Sequence, residues 1–309
     1  MRIIKDTKID FMKQRKIAFA LSSLVILSGL VSLLINGGPK LSIDFKGGIL
    51  VSVQYNEEID ITAVRSAMGN LNVDGQSFDF SREEIKKFGN PGAVLIRVPH
   101  IDDAPQNFAQ KIVDHLYNAF PEKVPENKTD FVLGKGTVSP KIGSELSGKA
   151  LMAIISSLGL ILLYISIRFE FRFALGAIAA LTHDVFVTLG IFSLLGYEIS
   201  LPIIAAFLTI VGYSLNDTIV IFDRIRENIK LSKKDSYTNI VNKSMNESLS
   251  RTIITSLTTF LVVFVLWTFG GEVIHNFAFA MIIGVIVGTY SSIYIASPIV
   301  IQLHDNATK

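Results

Sequence analysis

The sequence predicts an α-helical membrane protein with six transmembrane helices and one small α/β domain between the first two. Three observations carry this expectation. Half of the 309 residues are hydrophobic and the mean hydropathy is positive, +0.46, which together point to a membrane chain. That content gathers into uncharged or nearly uncharged runs close to the ~20 residues that a helix needs to cross a bilayer. One long polar block, residues 36–147, interrupts the runs and alternates between strand and helix periodicity.

Residues 1–16 form a polar, basic start holding Arg2, Lys5, Lys8, Lys13, Arg15 and Lys16. The apolar run at 17–35 has roughly the length of one span and is too long for the core of a secretory signal; no small-residue cleavage pattern follows it. It reads as a retained first helix. Within 36–147, residues 48–55 alternate as a strand and Asp60 stands where it can cap a helix through Ile61, Val64, Ala67 and Met68. Residues 75–80 and 93–98 read as two further strands. Phe108, Ile112, Leu116 and Phe120 mark one face of a helix over 104–120, and 129–138 reads as a last strand. The order β-α-β-β-α-β is that of a ferredoxin-like unit. Five more apolar runs follow at about 150–167, 173–195, 201–222, 252–269 and 273–303, the last long enough to tilt or protrude, and residues 304–309 form a tail.

Charge orients the spans. The N-terminus, the turn at 168–172 and the connection at 223–251 hold nearly all the Lys and Arg of the short connections; the turns near 196–200 and 270–276 hold none. By the positive-inside rule both termini lie in the cytoplasm and 36–147 lies outside. A net charge of +2 gives no electrostatic case for nucleic acid, and the absence of cysteine removes disulfides, thiolate chemistry and Cys-based metal sites. The five histidines show no metal-binding spacing, so no metal or cofactor is expected, nor an enzyme. Asn127, Asn242 and Asn246 head Asn-x-Ser/Thr triplets that carry little weight.

The informative residues are the polar ones inside apolar runs. Asn216 and Asp217 sit in the fourth span, Asp217 roughly five residues from its cytoplasmic end, about 8 Å deep at the helical rise. An intramembrane carboxylate is costly and marks an ion pathway or proton relay by default; otherwise it reaches a wet interface or holds a fixed ion pair. Asn216 beside it suits helix packing by hydrogen bonding. Arg251 opens the fifth span, as a partner for Asp217 or as a boundary marker whose long side chain snorkels. His183 and Asp184, near the middle of the third span, suit a second proton station or a helix-to-helix hydrogen-bond pair. Thr182, Thr188 and Thr209 suit water binding or satisfaction of backbone carbonyls. Gly284 and Gly288 form a packing face in the sixth span, in reach of a partner subunit. Asp44, Gly47 and Gly48 read as a turn or hinge, and Arg224, Arg226, Lys230, Lys233 and Lys234 as a solvated charge run facing lipid headgroups.

Several of these stretches resemble one family. Ser42-Ile43-Asp44-Phe45-Lys46-Gly47-Gly48 resembles a signature of the SecD/SecF protein-export subunits. Gly212 to Thr218 with Phe222 to Glu227, Ser250-Arg251-Thr252 with Thr255, Ser256, Thr258 and Thr259, and Gly288 to Ser292 with Ile295 to Pro298 resemble its fourth, fifth and sixth spans. The match runs along nearly the whole chain in order, closer than to the wider resistance-nodulation-division exporters; Ser139 stands where that family more often has Gly. The resemblance implies a subunit of the bacterial inner membrane that pairs with SecD and works with the SecYEG translocon, YajC and an unfolded preprotein. It implies use of the proton motive force in late, extracytoplasmic steps of export, with Asp217 as the protonatable group and Arg251 controlling its charge. The alternatives are a proton-coupled exporter of small molecules or lipids, and a translocon scaffold that uses no energy.

Overall fold

The computed structural model describes residues 7–87, 89–102, 104–232 and 234–307. Two compact units emerge: Met1–Lys40 with Leu151–Lys309, and Leu41–Ala150. The first is helical. Its elements are α1 (Phe11–Ile35), most of α6 (Pro140–Arg168), α7 (Phe171–Leu195), α8 (Leu201–Leu231), α9 (Tyr237–Phe269), α10 (Gly271–Ser291), a π turn (Ser292–Ala296) and α11 (Ser297–Ala307). Six helical paths, the last running from Ile274 through α11 to Asn306, are long and apolar enough to cross a membrane.

Local chemistry sets the ends. Asp10 accepts from the Lys13 N–H to cap α1, and Ser236 accepts from the Asn239 N–H to cap α9. Ser139 Oγ stands 3.4 Å from the Ile142 N–H, and Pro140 opens α6, where a missing N–H costs nothing. Gly196, at φ 69°, closes α7, with the Tyr197 N–H on the Phe192 carbonyl and the Gly196 N–H on the Ser193 carbonyl. The π turn precedes Pro298, which has no N–H to give the preceding turn.

The helices outrun the apolar runs. α6 begins ten residues before the run at 150, α8 continues to Leu231, and α9 already starts at Tyr237, so most of the expected loop at 223–251 is helix. An apolar run measures the hydrocarbon slab. It does not end a helix whose next residues still favour helix.

Close approach depends on glycine. A Cβ on Gly29 of α1 would lie 2.5 Å from the Gly190 Cα of α7. The same offset of 161 residues joins Ser32 Oγ to Ser193 Oγ at 2.8 Å and Ser22 to His183 at 3.0 Å. α1 and α7 therefore run parallel in one register, with Ser22 and Gly29 seven residues apart, as in a coiled-coil seam. Gly284 and Gly288 of α10 lie against Ile210 and Ser214 of α8, so this packing face is used within the chain. Asn246 exchanges bonds of 2.9 and 2.8 Å with the Ile9 backbone, and Asn242 accepts from the Phe11 N–H. Those two asparagines thus fasten the entry to α1 onto α9. The charge run is also engaged: Arg224 pairs with Glu227 and Glu247 at 2.7 Å, and Arg226 donates to the Arg168 carbonyl. Lys233 lies outside the described residues.

The Leu41–Ala150 unit holds a sheet of order β4-β5-β1-β6, antiparallel throughout. Its strands are β1 (Gly48–Gln54), β4 (Glu84–Lys87), β5 (Ala93–Val98) and β6 (Val132–Val138), with α3 (Ile61–Gly69) and α4 (Phe108–Ala119) as its main helices. This is the ferredoxin-like arrangement, with a hairpin of β2 (Leu71–Val73) and β3 (Gln76–Phe78) inserted after α3. The second strand of the sheet is thus Glu84–Lys87, while 75–80 supplies only a hairpin arm. Glu84-Ile85-Lys86-Lys87 hides from a sequence reading because an edge strand needs one inward residue, here Ile85, and is protected by its charges. The expected last strand is also shorter, its first residues forming a helical turn, α5 (Lys128–Phe131). Ser42 caps a short turn, α2 (Ile43–Lys46), and Gly47, at φ 76°, lies against Pro140, so Asp44 belongs to a turn.

Two predictions follow from this packing. Tyr55 is fully buried against Phe120 and Phe131, its hydroxyl has no partner among the described residues, and burial pushes the phenol above the ordinary tyrosine range. Removing an unpaired buried hydroxyl relieves about 1 kcal/mol, so Tyr55→Phe is expected to hold or raise the melting temperature of the purified chain. Gly29→Ala forces a backbone-to-side-chain clash that costs about 1–3 kcal/mol, and the same melt is expected to show the loss; an unchanged melt contradicts the Gly29–Gly190 contact.

Candidate functional site

Two buried carboxylates organise the helical unit. The first is Asp184, fully buried near the middle of α7. A carboxylate accepts and cannot donate, so every neighbour must bring a proton. Oδ2 receives Ser214 Oγ of α8 at 2.6 Å and Ser291 Oγ of α10 at 2.8 Å. Oδ1 lies 2.9 Å from His183 Nδ1. The other ring nitrogen of His183, Nε2, is 3.0 Å from Ser22 Oγ of α1. Ser22 Oγ is in turn 2.9 Å from Tyr290 Oη of α10, which donates to the Ala18 carbonyl of α1 at 2.7 Å. Helices α1, α7, α8 and α10 thus meet in one chain of hydrogen bonds, with the imidazole and the Tyr290 ring nearly parallel at 5.9 Å.

The second carboxylate is Asp217 of α8, 3% exposed. Its Oδ2 accepts from Ser256 Oγ of α9 at 3.2 Å, and Ser256 lies 2.7 Å from Thr289 Oγ1 of α10. Thr255 Oγ1 is 3.5 Å from Oδ1 and closer to the Thr252 carbonyl, at 2.9 Å. Asp217 is therefore held more loosely than Asp184. The two centres share α8 and α10. Ser214 and Asp217 are three residues apart on α8, about 4.5 Å of helical rise, and α10 brings Ser291 to one centre and Thr289 to the other. Among the described residues no Lys or Arg pairs with either carboxylate; apart from the imidazole of His183, the donors are neutral hydroxyls.

The remaining expected residues fall differently. Arg251 is exposed, one turn before Thr255 on α9; among the described residues it makes no salt bridge with Asp217, but its charge acts on that carboxylate. Asn216 is exposed: one residue is 100° of helix, which turns it off the face that carries Asp217. It makes no side-chain hydrogen bond among the described residues, so it packs no helix pair in this chain. Thr188 and Thr209 each donate to the carbonyl four residues earlier, the backbone-satisfying role. Sequence reasoning did not single out Ser22, Ser214, Tyr290 or Ser291. The available signal was position: Ser214, Asp217 and Thr218 share a buried face of α8.

No group of three or more His, Cys, Asp or Glu able to hold a metal ion occurs among the described residues. The polar network joins its titratable groups through neutral hydroxyls.

Comparison with known proteins places the chain. A family model for the protein export membrane protein SecD/SecF, C-terminal, matches residues 123–306. A protein translocase subunit SecF from Rhodothermus marinus is 45% identical over 99% of this chain and 97% of its own. One from Calditerrivibrio nitroreducens is 45% identical over 97% and 96%. The crystal structure of SecDF, a translocon-associated membrane protein from Thermus thermophilus, superposes with a TM-score of 0.82 at 37% identity. That match covers 97% of this chain and 39% of that one, so the chain spans about two fifths of the SecDF polypeptide. Family model, near-full-length relatives and shared architecture agree: the chain belongs to the SecF family of protein-export membrane proteins.

Proposed function

We propose that this chain is the proton-driven accessory subunit of a Sec translocase and that Asp217 is the group that binds and releases the proton. The observation that carries this reading is a carboxylate buried in an apolar helix bundle with, among the described residues, no Lys or Arg within salt-bridge distance. An ionised group there meets a desolvation cost that a protonated one avoids, so proton occupancy changes which packing of α8, α9 and α10 is favoured. Asp217, held mainly by Ser256, exchanges; Asp184 and His183, more tightly bonded, form a second station reached through Ser214. Arg251 acts as a basic group at the mouth of the path. Both termini lie in the cytoplasm, residues 36–147 lie outside the inner membrane, and the bundle pairs with SecD beside SecYEG and YajC. The outside domain moves with the bundle and promotes late steps of export of an unfolded preprotein.

The energy suffices. One proton crossing ~100 mV releases about 2.3 kcal/mol, roughly a fortyfold bias in a two-state equilibrium. Asp217→Asn keeps the shape and removes the exchangeable proton. Export of a secreted reporter is expected to fall at least tenfold in cells carrying this variant, with the membrane level of the chain and its association with SecD unchanged. Normal export by Asp217→Asn would mean that the carboxyl group is structural and the subunit a scaffold.

A further inference from the structure

The hydrogen-bond chain around His183 has a proton inventory that fixes its tautomer. The Ala18 carbonyl only accepts, so the single Tyr290 hydroxyl proton, 2.7 Å away, is committed to it. Tyr290 Oη then has no proton for Ser22, and the 2.9 Å contact between them requires Ser22 to donate. With its one proton spent, Ser22 Oγ can only accept across the 3.0 Å contact with His183, so Nε2 carries hydrogen. The 2.9 Å bond between Nδ1 and Asp184 Oδ1 then holds one further proton. Placing it on the ring or on the carboxyl leaves the pair with the same count and no net charge.

We infer that Ser22 and Tyr290 are positioning residues that set the His183 tautomer, so that the His183–Asp184 pair stores one exchangeable proton. This rests on the proton-driven reading above for its use, and on the geometry alone for its chemistry. When the pair yields one proton to water, a bare Nδ1 would face a bare carboxylate oxygen. The arrangement that restores these contacts places the remaining ring hydrogen on Nδ1. Ser22 then turns its hydroxyl to donate to Nε2, and Tyr290 turns its own from Ala18 to Ser22. No O–H bond breaks in that turn. The two arrangements differ by one proton and by one contact, the bond from Tyr290 to the Ala18 carbonyl. Proton occupancy on α7 is thereby tied to the grip of α10 on α1. Among the described residues the titratable group that faces the pair from a packed helix is Tyr290 on α10; α1 contributes the neutral Ser22, α8 the neutral Ser214 and α10 also the neutral Ser291, with Asp217 three residues beyond Ser214 on α8.

The test is nitrogen-15 NMR of the histidine side chains in the purified full chain over a pH series, with His183→Gln identifying the His183 signals. Native protein is expected to show Nε2–H at His183 at the acid end of the series, where the pair holds its proton. Tyr290→Phe frees Ser22 to turn its proton either way, so a second, Nδ1–H form is expected to appear. Ser22→Ala removes the partner of Nε2, and the double variant is expected to match Ser22→Ala alone, because Tyr290 acts only through Ser22. A native His183 whose Nε2 stays bare at every pH down to the acid limit of folding overturns the inference, as does a Tyr290→Phe spectrum identical to the native one throughout. Either result leaves the export phenotype of Asp217→Asn untouched, so the two claims fail separately.

Discussion

A carboxylate placed among hydrocarbon side chains has to be given hydrogen-bond donors by the protein, because no bulk water is there to supply them. That constraint explains much of the helical unit. Asp184 draws Ser214 from α8, Ser291 from α10 and His183 from its own helix. His183 in turn draws Ser22 from α1. Hydroxyls reach only about 3 Å, so the helices must come close, and small residues allow it. Gly288 lies against Ser214. Gly29 meets Gly190 in the same parallel register that brings Ser22 to His183. Glycine contacts and polar contacts are two parts of one arrangement.

The two centres have different characters. Asp184 has both oxygens occupied by bonds of 2.6 to 2.9 Å, which suits a station that keeps its proton count until the network rearranges. Asp217 has one bond of 3.2 Å and a marginal one of 3.5 Å, which suits a group that exchanges readily. α8 and α10 touch both. Beyond Ser291, the helical path of α10 passes into the π turn ahead of Pro298, a local relaxation of the helical ladder often found at functional sites. A change of charge at either carboxylate therefore acts on helices that already have an irregular segment next to them.

Much of this was readable from the sequence, and the parts that were not have physical reasons. Asp184 and Asp217 stand out because acids are expensive in an apolar run. The hydroxyls that bind them do not, since Ser and Thr are ordinary in such helices and satisfy themselves on the preceding turn, as Thr188 does. Asn216 was grouped with Asp217 by adjacency, whereas a helix separates neighbours by 100°. Arg251 was paired with Asp217 by depth; its exposed side chain acts on the carboxylate through its charge, while Thr255 and Ser256, one turn on, supply the hydroxyls that face it. In the Leu41–Ala150 unit the ferredoxin-like order was legible from strand and helix periodicity. The short charged edge strand Glu84–Lys87 was not, because one buried residue, Ile85, makes no pattern.

The central claim is that Asp217, inside the helix bundle, binds and releases a proton. Infrared difference spectra of the purified chain between two pH values read this directly, through carboxyl C=O bands that appear or vanish with protonation. The account predicts a pH-dependent band that is lost in Asp217→Asn and kept in Asp184→Asn. Spectra whose carboxyl region is the same in the native chain and in both variants would contradict it.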